Sequence, residues 1–269
     1  MIFPDGTSCG EDCSYQEAAQ FAEAPLDKRH NRVDTLSVTP MSVVTSMPIL
    51  EDLLGSADCV LFDFDGPLAR LFDQYPASGV ARQLKAWLEK REALIPEARD
   101  CQDPLRVLRE FTGPEHYTEV EQLLTKHEVH AASVATPTDH ADELVQVLAS
   151  RGRSVAVTTN NSPLAAASYL HRRGLMRFFE SRIHGRTSER ESMKPSANCL
   201  VRALRSTETP AKRALMIGDS PDDCAAARRA GVTFLGYARK PSKEASLRDA
   251  GAHHVVDSLA DLCSVLGTV

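Results

Sequence analysis

No stretch of this sequence approaches the roughly 20 consecutive apolar residues that a membrane helix needs, so no membrane association is expected. Nor is there a basic excess: 31 Lys and Arg stand against 37 Asp and Glu, for a formal net charge of -6. DNA or RNA is held by many Lys and Arg contacts to phosphate, so a nucleic-acid partner is excluded. A small anion needs only a few local cations and backbone donors, and it stays open as a substrate. The N-terminal stretch MIFPDGTSCGEDCSYQEAAQ carries acids where an export signal has a basic segment and then a long apolar one. The expected location is therefore cytoplasmic. Seven cysteines, an odd number, lie far apart except for Cys9 and Cys13, which rules out a disulfide framework and implies reduced thiols. Cys9 and Cys13 have zinc-like spacing but no second ligand pair. Cys59, Cys199, Cys224 and Cys263 fall in apolar segments and read as small packing residues.

What is present is the composition of a globular enzyme-sized chain, with 42% hydrophobic and 25% charged residues in 269. That is enough for one substantial core and a smaller second one. Residues 1–50 mix acids, Ser, Thr and Pro without periodicity and read as a disordered leader. Met41 and Met47 stand near its end as alternative translation starts. From Ala57 onward, short apolar runs alternate with amphipathic helical patterns, which predicts an α/β fold with a Rossmann-like parallel sheet. The strand candidates are CVLFDF from Cys59, SVAVTT from Ser154, a weak RIHG from Arg182, RALMIGD from Arg213, VTFLGY from Val232 and HHVV from His253. Their near-continuous hydrophobicity suits strands covered on both faces.

Two helices carry clear start and stop signals. SPLAAASYLHRRG offers Ser162 as cap, Pro163 at the first helical position and Gly174 beyond the end, and SPDDCAAARRAG repeats the pattern with Ser220, Pro221 and Gly231. Each follows a strand, and free N–H groups at such helix starts favour an anion. Between Gly66 and Ser154 the rhythm breaks into VARQLKAWLEKREALI, DPLRVLREF and TEVEQLLTKHEV, with no convincing strand. The expected organisation is a catalytic core at 51–71 and 137–269, with a helical cap at 72–136 inserted after the first strand.

The chemistry starts at CVLFDFDGPLARLF. In a strand, residues two apart share a side, so Asp63 and Asp65 face one way and Phe62 and Phe64 the other. Two carboxylates at the end of a buried strand repel unless a cation or a proton compensates, and a divalent metal does so directly. An EF-hand is excluded, because Pro67 and Leu68 stand where the calcium loop needs an oxygen ligand and then Gly. Taken alone, the pair also fits two solvated acids at a turn. Other strand ends add to it, however. One finishes in Thr159 and Asn160, a loop carries Lys194 before Pro195, and a later strand runs into MIGDSPDD. Ligands of open α/β sheets bind at that carboxyl edge. A nucleophile, an acid/base, a hydroxyl, a cation and further carboxylates together make a set for phosphoryl transfer.

These residues resemble the haloacid dehalogenase superfamily in its phosphatase branch. The resemblance is carried by DFDG (Asp63 to Gly66), VTTN (Val157 to Asn160), the Lys194-Pro195 pair and GDSPDDCAAARRAG (Gly218 to Gly231), in the family's order, within residues 57–266. The cap's placement is similar to that of the phosphoglycolate phosphatase and beta-phosphoglucomutase type. The resemblance implies a hydrolase acting on a small phosphorylated metabolite, with Asp63 as nucleophile and Asp65 as acid and base. It implies Mg²⁺ held by the Asp63 carboxylate, the Asp65 carbonyl and Asp219, with Asp223 in support, and phosphoryl oxygens held by Thr159, Lys194 and the Asn160 N–H. A phosphomutase on the same core and a catalytically quiet binding protein are the alternatives. Haloacid dehalogenation is disfavoured by the second acid at Asp65.

Plainer readings accompany several of these residues. Asp223 fits the third position of a capping box begun by Ser220, Thr158 competes with Thr159, and Lys194 reads equally as a solvated loop cation. His253 and His254 read as a surface turn, Arg172-Arg173 and Arg228-Arg229 as complements to helix C-termini, and Trp87 as packing. Pro67 departs from the family, which has Thr or Val after the motif glycine.

Overall fold

The computed structural model describes residues 45–267. Helix α1 (Met47–Ser56) leads into β1 (Cys59–Phe62), followed by β2 (Ala69–Arg70), α2 (Ala77–Glu89), α3 (Pro104–Phe111), α4 (Tyr117–Val134) and β3 (Thr136–Pro137). The chain continues through α5 (Ala141–Ser150), β4 (Ser154–Thr158), α6 (Pro163–Arg172), α7 (Met176–Phe179) and β5 (Ile183–His184). It closes with α8 (Asn198–Ser206), β6 (Ala214–Gly218), α9 (Pro221–Ala230), β7 (Thr233–Tyr237), α10 (Pro241–Asp249), β8 (His254–Val256) and α11 (Ala260–Leu266).

Six strands form one sheet in the order β5-β4-β1-β6-β7-β8, and every neighbouring pair is parallel. All six expected strands are present, each trimmed by a residue or two. Side-chain alternation explains why both faces need helices. Val60, Phe62, Val157 and Ile217 enter one core with Leu54 of α1, Leu148 of α5, Leu170 of α6 and Leu262 of α11. Cys59, Leu61, Ala156 and Met216 enter the other with Leu200 of α8 and Ala227 of α9. The expected α/β class therefore holds. Among the described residues Cys59, Cys101, Cys199, Cys224 and Cys263 are free and buried, whereas Cys9 and Cys13 lie outside them. No described helix is long and apolar enough to cross a membrane.

The expected leader boundary at residue 50 needs correction, because it falls inside α1. Thr45 already belongs to the fold: its N–H donates to the Val255 carbonyl at 2.9 Å, and its hydroxyl accepts from the Val255 N–H at 2.8 Å. Leu50 and Leu54, four apart on one helix face, are buried in the larger core. The rest of the leader lies outside the described residues.

The helical insertion after β1 is framed by β2 and β3, which pair antiparallel with Ala69 opposite Pro137. Entry and exit thus lie side by side. Between them Val80, Leu84 and Leu88 of α2, Val107 and Leu108 of α3 and Tyr117, Val120 and Leu124 of α4 form a separate core. Helix α4 serves both cores, since its later residues Ala131 and Ala132 pack in the main one. Trp87 packs at the edge of the insertion under the Arg91 guanidinium, 3.6 Å from the ring centroid.

Candidate active site at the carboxyl edge of the sheet

Register aligns the ends of the three central strands. Phe62 sits opposite Val157 on one side and Ile217 on the other, so Asp63 emerges level with Thr158 and Gly218. The Asp63 N–H continues the ladder to the Ile217 carbonyl at 2.9 Å. Phe64 returns to the core against Tyr169, 5.4 Å between centroids, while Asp63 and Asp65 both line a cavity of about 200 Å³. Thr159, Asn160, Lys194 and Asp219 line the same cavity. Two glycines make room for the acids. Gly66, at φ +130, lies where a Cβ would land on the Asp219 carboxylate, and a Cβ on Gly218 would come within 2.6 Å of Asp223. Pro67 is buried in the turn closed by Ala69 N–H to Phe64 O, a turn that asks for no N–H from Pro67.

Lys194 is no solvated loop cation. It is buried, and its ammonium donates to Asp63 Oδ1 at 2.8 Å, Asp223 Oδ1 at 2.5 Å and the Thr158 carbonyl at 2.9 Å. Burial works against its charge, but the Asp223 and Asp63 carboxylates outweigh burial and hold its pKa well above the usual lysine range. The two threonines point in different directions. Thr158 turns its hydroxyl into the sheet toward Met216 Sδ at 3.2 Å, and Thr159 lines the cavity. Asn160 clasps the lysine loop, donating from Nδ2 to the Lys194 carbonyl at 3.0 Å and accepting the Lys194 N–H at 2.6 Å. Its own backbone N–H has no hydrogen-bond partner among the described residues.

Asp223 is the third residue of the capping box that Ser220 begins at α9, and also the partner of Lys194. Its Oδ2 accepts from the Asp219 N–H, the Ser220 N–H and the Ser220 hydroxyl, leaving Oδ1 for the lysine. Asp63, Asp219 and Asp223 each bring one carboxylate oxygen to within 4.8 Å of the others. Hard oxygens at this density suit a divalent cation, and the charge balance is short of one: among the described residues, Asp63, Asp219 and Asp223 are ion-paired only with Lys194 and Lys243, and Asp65 with no cation. Three of these acids are less acidic than usual, chiefly through burial. Burial pushes Asp63 up to about 7, with Lys194 opposing and Asp223 adding to the rise. Burial likewise lifts Asp65 to about 7, against the Leu71 N–H that its Oδ1 accepts at 2.9 Å. Asp219 rises to about 6 for the same reason, restrained by Lys243.

Four contributors went unread in the sequence. Lys243 of α10 pairs with Asp219. Arg109 of α3 donates to Asp222 Oδ2 at 2.7 Å and to the Lys194 carbonyl at 3.1 Å, tying the insertion to the core. Asn161 exchanges hydrogen bonds with the Thr159 hydroxyl. Arg186 donates to the Asn160 carbonyl at 2.9 Å. The one legible signal was the cation density of Arg239, Lys240 and Lys243 just after a strand end.

An open parallel sheet with an acid-rich carboxyl edge and a helical insertion behind its first strand defines a class of α/β enzyme. The profile of the haloacid dehalogenase-like hydrolases matches residues 60–237, and the chain belongs to that family. A phosphoglycolate phosphatase of Agrobacterium fabrum is 31% identical over 171 residues, covering 62% of this chain and 65% of the relative, just under two thirds of its length. The pyrophosphatase PpaX of Halalkalibacterium halodurans is 25% identical over 218 residues, covering 77% of this chain and 96% of the relative. Among solved structures, CbbY from Rhodobacter sphaeroides in complex with phosphate superimposes with a TM-score of 0.58 at 22% identity, over 78% of this chain and 99% of that one. At that identity the likeness speaks for the fold.

Proposed function

We propose that the protein is a cytoplasmic Mg²⁺-dependent phosphatase that hydrolyses a small phosphorylated metabolite through an aspartyl-phosphate on Asp63. The observation that carries this reading is the convergence of Asp63, Asp65, Thr159, Asn160, Lys194 and Asp219 on one cavity of about 200 Å³. The phosphatase names of its relatives support the substrate class.

In the first step an Asp63 oxygen attacks phosphorus, the ester P–O bond breaks, and Asp65 gives its proton to the departing oxygen. With its pKa pushed up to about 7, the Asp65 carboxyl exchanges a proton readily near neutral pH, so it can give the proton and take it back. In the second step Asp65 removes a proton from water, the water oxygen bonds to phosphorus, and the Asp63–phosphorus bond breaks to release phosphate. Lys194, Thr159 and the free Asn160 N–H hold the other phosphoryl oxygens. Asp63, Asp219 and the Asp65 carbonyl would hold the metal, with Asp223 behind them, and a bound divalent ion supplies positive charge that lets carboxylate and phosphoryl group approach. Helices α2 to α4 act as the cap, since Leu105, Arg106 and Arg109 of α3 line the same cavity. The reading has no nucleic-acid or membrane partner.

Asp63→Asn and Asp65→Asn test the division of labour. With Mg²⁺ and a panel of phosphorylated metabolites, Asp63→Asn releases no phosphate. With an aryl phosphate, Asp65→Asn gives a burst approaching about one equivalent of phenol per enzyme, and the phosphate stays covalently bound until hydroxylamine frees it. Turnover by Asp63→Asn, or full wild-type activity after exhaustive chelation, overturns the reading.

A further inference from the structure

We propose that Arg109 of α3 is a positioning residue that acts on the reaction through Lys194, by fixing the lysine's backbone from the side of the insertion. The inference rests on the phosphatase reading, because that reading gives the Lys194 ammonium a phosphoryl oxygen to hold.

Arg109 belongs to the insertion, yet its bonds go to both sides of a pair in the core. Its Nη1 donates to the Lys194 carbonyl at 3.1 Å and to Asp222 Oδ2 at 2.7 Å. Asp222 adjoins Asp223, whose Oδ1 accepts from the Lys194 ammonium. One nitrogen therefore bridges the backbone that carries the cation and the neighbour of the acid that cation meets. Both hydrogens of that nitrogen are spent, and Nη2 pairs with Glu110 at 3.2 Å, so the guanidinium holds protein rather than substrate. Arg106 of the same helix also lines the catalytic cavity, but it pairs within α3, with Glu110 at 2.6 Å. The Lys194 carbonyl has one further donor, Asn160 Nδ2 at 3.0 Å. Core and insertion thus share the fixing of one peptide oxygen.

The reaction gives this anchoring its use. At rest the ammonium has three anchors of its own, on Asp63, Asp223 and the Thr158 carbonyl. Asp63 is the nucleophile, so its oxygen leaves the lysine for phosphorus as the reaction proceeds. The backbone anchors then decide where the ammonium points, and small displacements of a charge-stabilising group are costly to rate. A purely stabilising role is the plainer reading, and exposure weighs against it. The Arg109 and Asp222 side chains are 31% and 37% exposed, and ion pairs so open to water contribute little to folding.

Kinetics of Arg109→Met, Arg109→Lys and Asp222→Asn test this, with Mg²⁺ and two phosphate esters of unlike leaving group. Lys194 meets the phosphoryl group, which all substrates share. Arg109→Met should therefore lower kcat about tenfold or more, by the same factor for both esters and with KM little changed. Arg109→Lys should restore part of the rate, and Arg109→Met combined with Asp222→Asn should lose no more than Arg109→Met alone. The thermal transition should move only slightly, and its collapse would make the residue structural. Unchanged kcat overturns the proposal, as does a loss seen in KM or in one ester only, which places Arg109 on the leaving group. A second readout needs no turnover. Inorganic phosphate with Mg²⁺ should slow amide hydrogen exchange across residues 104–111 in the wild type and not in Arg109→Met, because coupling between two sites is reciprocal. Exchange unmoved by phosphate in the wild type, or slowed equally in both proteins, overturns the coupling. If no ester is hydrolysed while the exchange effect is present and depends on Arg109, the phosphatase reading falls and the coupling stands.

Discussion

Arg186 and Lys194 are both buried cations in the loop between β5 and α8, each set between two acids, and their surroundings differ in how fully the acids are satisfied. Arg186 donates to Glu121 and Glu128 of α4, to the Thr125 hydroxyl and to the Asn160 carbonyl. Glu128 in turn receives Asn161 Nδ2 at 3.0 Å and the Ser162 N–H at 2.9 Å, so its two oxygens have four donors. Around Lys194 the two acids differ: Asp223 has four donors, like Glu128, but Asp63 and its neighbour Asp65 are starved. Among the described residues, the Asp63 side chain has one donor, Lys194 itself, and that of Asp65 has one, the Leu71 N–H. A saturated carboxylate is fixed in place, and an unsaturated one keeps capacity for a proton, a cation or an electrophile. The first cluster thus holds the Asn160–Ser162 loop against the insertion, and the second is left free to react.

The largest effect that would sharpen this contrast comes from Arg186→Met. It leaves Glu128 buried without its cation and should cost about 3–5 kcal/mol in urea unfolding. Lys194→Met should cost less at about pH 6, because Asp63, already pushed up to about 7, can take up a proton instead. Equal losses would break the comparison. Next in size is the response to metal. Mg²⁺ at about a hundredfold its dissociation constant should stabilise the protein by about 2.7 kcal/mol, and Asp219→Asn should abolish that gain in a thermal shift measurement.

The third test is pH. In the folded state Asp65 binds its proton up to about 7, but its ordinary value is 3.8. Between those values the folded state holds more protons than the unfolded one. This contribution is therefore largest at the acid end of the window and is lost as pH rises through about 7. In chelator, stability should fall by about 2 kcal/mol between about pH 5 and pH 7 for this group. Asp65→Asn should flatten the slope, and an unchanged slope would show that Asp65 is not the group responsible. The smallest effect belongs to the cap of α9. Ser220→Ala removes the hydroxyl that accepts from the Asp223 N–H at 3.2 Å and donates to its Oδ2 at 2.7 Å, at a cost of about 1 kcal/mol.

Strand order along the chain, the capped starts of α6 and α9 and the grouping of Asp63, Asp65, Thr159, Asn160, Lys194 and Asp219 were legible from the amino acids alone. Each depends on local rules: period-two alternation, Ser-Pro helix starts, and the fact that parallel strands deliver their following residues to one edge. The start of the fold was misplaced for a related reason. Thr45 is held by Val255, far along the chain, and a contact between distant residues leaves no periodicity to read.

Tertiary structure alone decided the rest. Thr158 and Thr159 are chemically the same, and only the sheet's pleat sends one to Met216 and the other to the cavity. Asp223 could be a helix cap or a partner of the site, and burial between Ser220 and Lys194 makes it both. Lys194 and Arg186 are two basic residues of one polar loop; the acids that surround them come from β1, α9 and α4, elements remote in sequence. Residue types and their order along the chain therefore name the chemistry that is available. Whether a given charge is saturated, and so structural, or left short of partners, and so reactive, depends on which distant groups folding brings within hydrogen-bond reach.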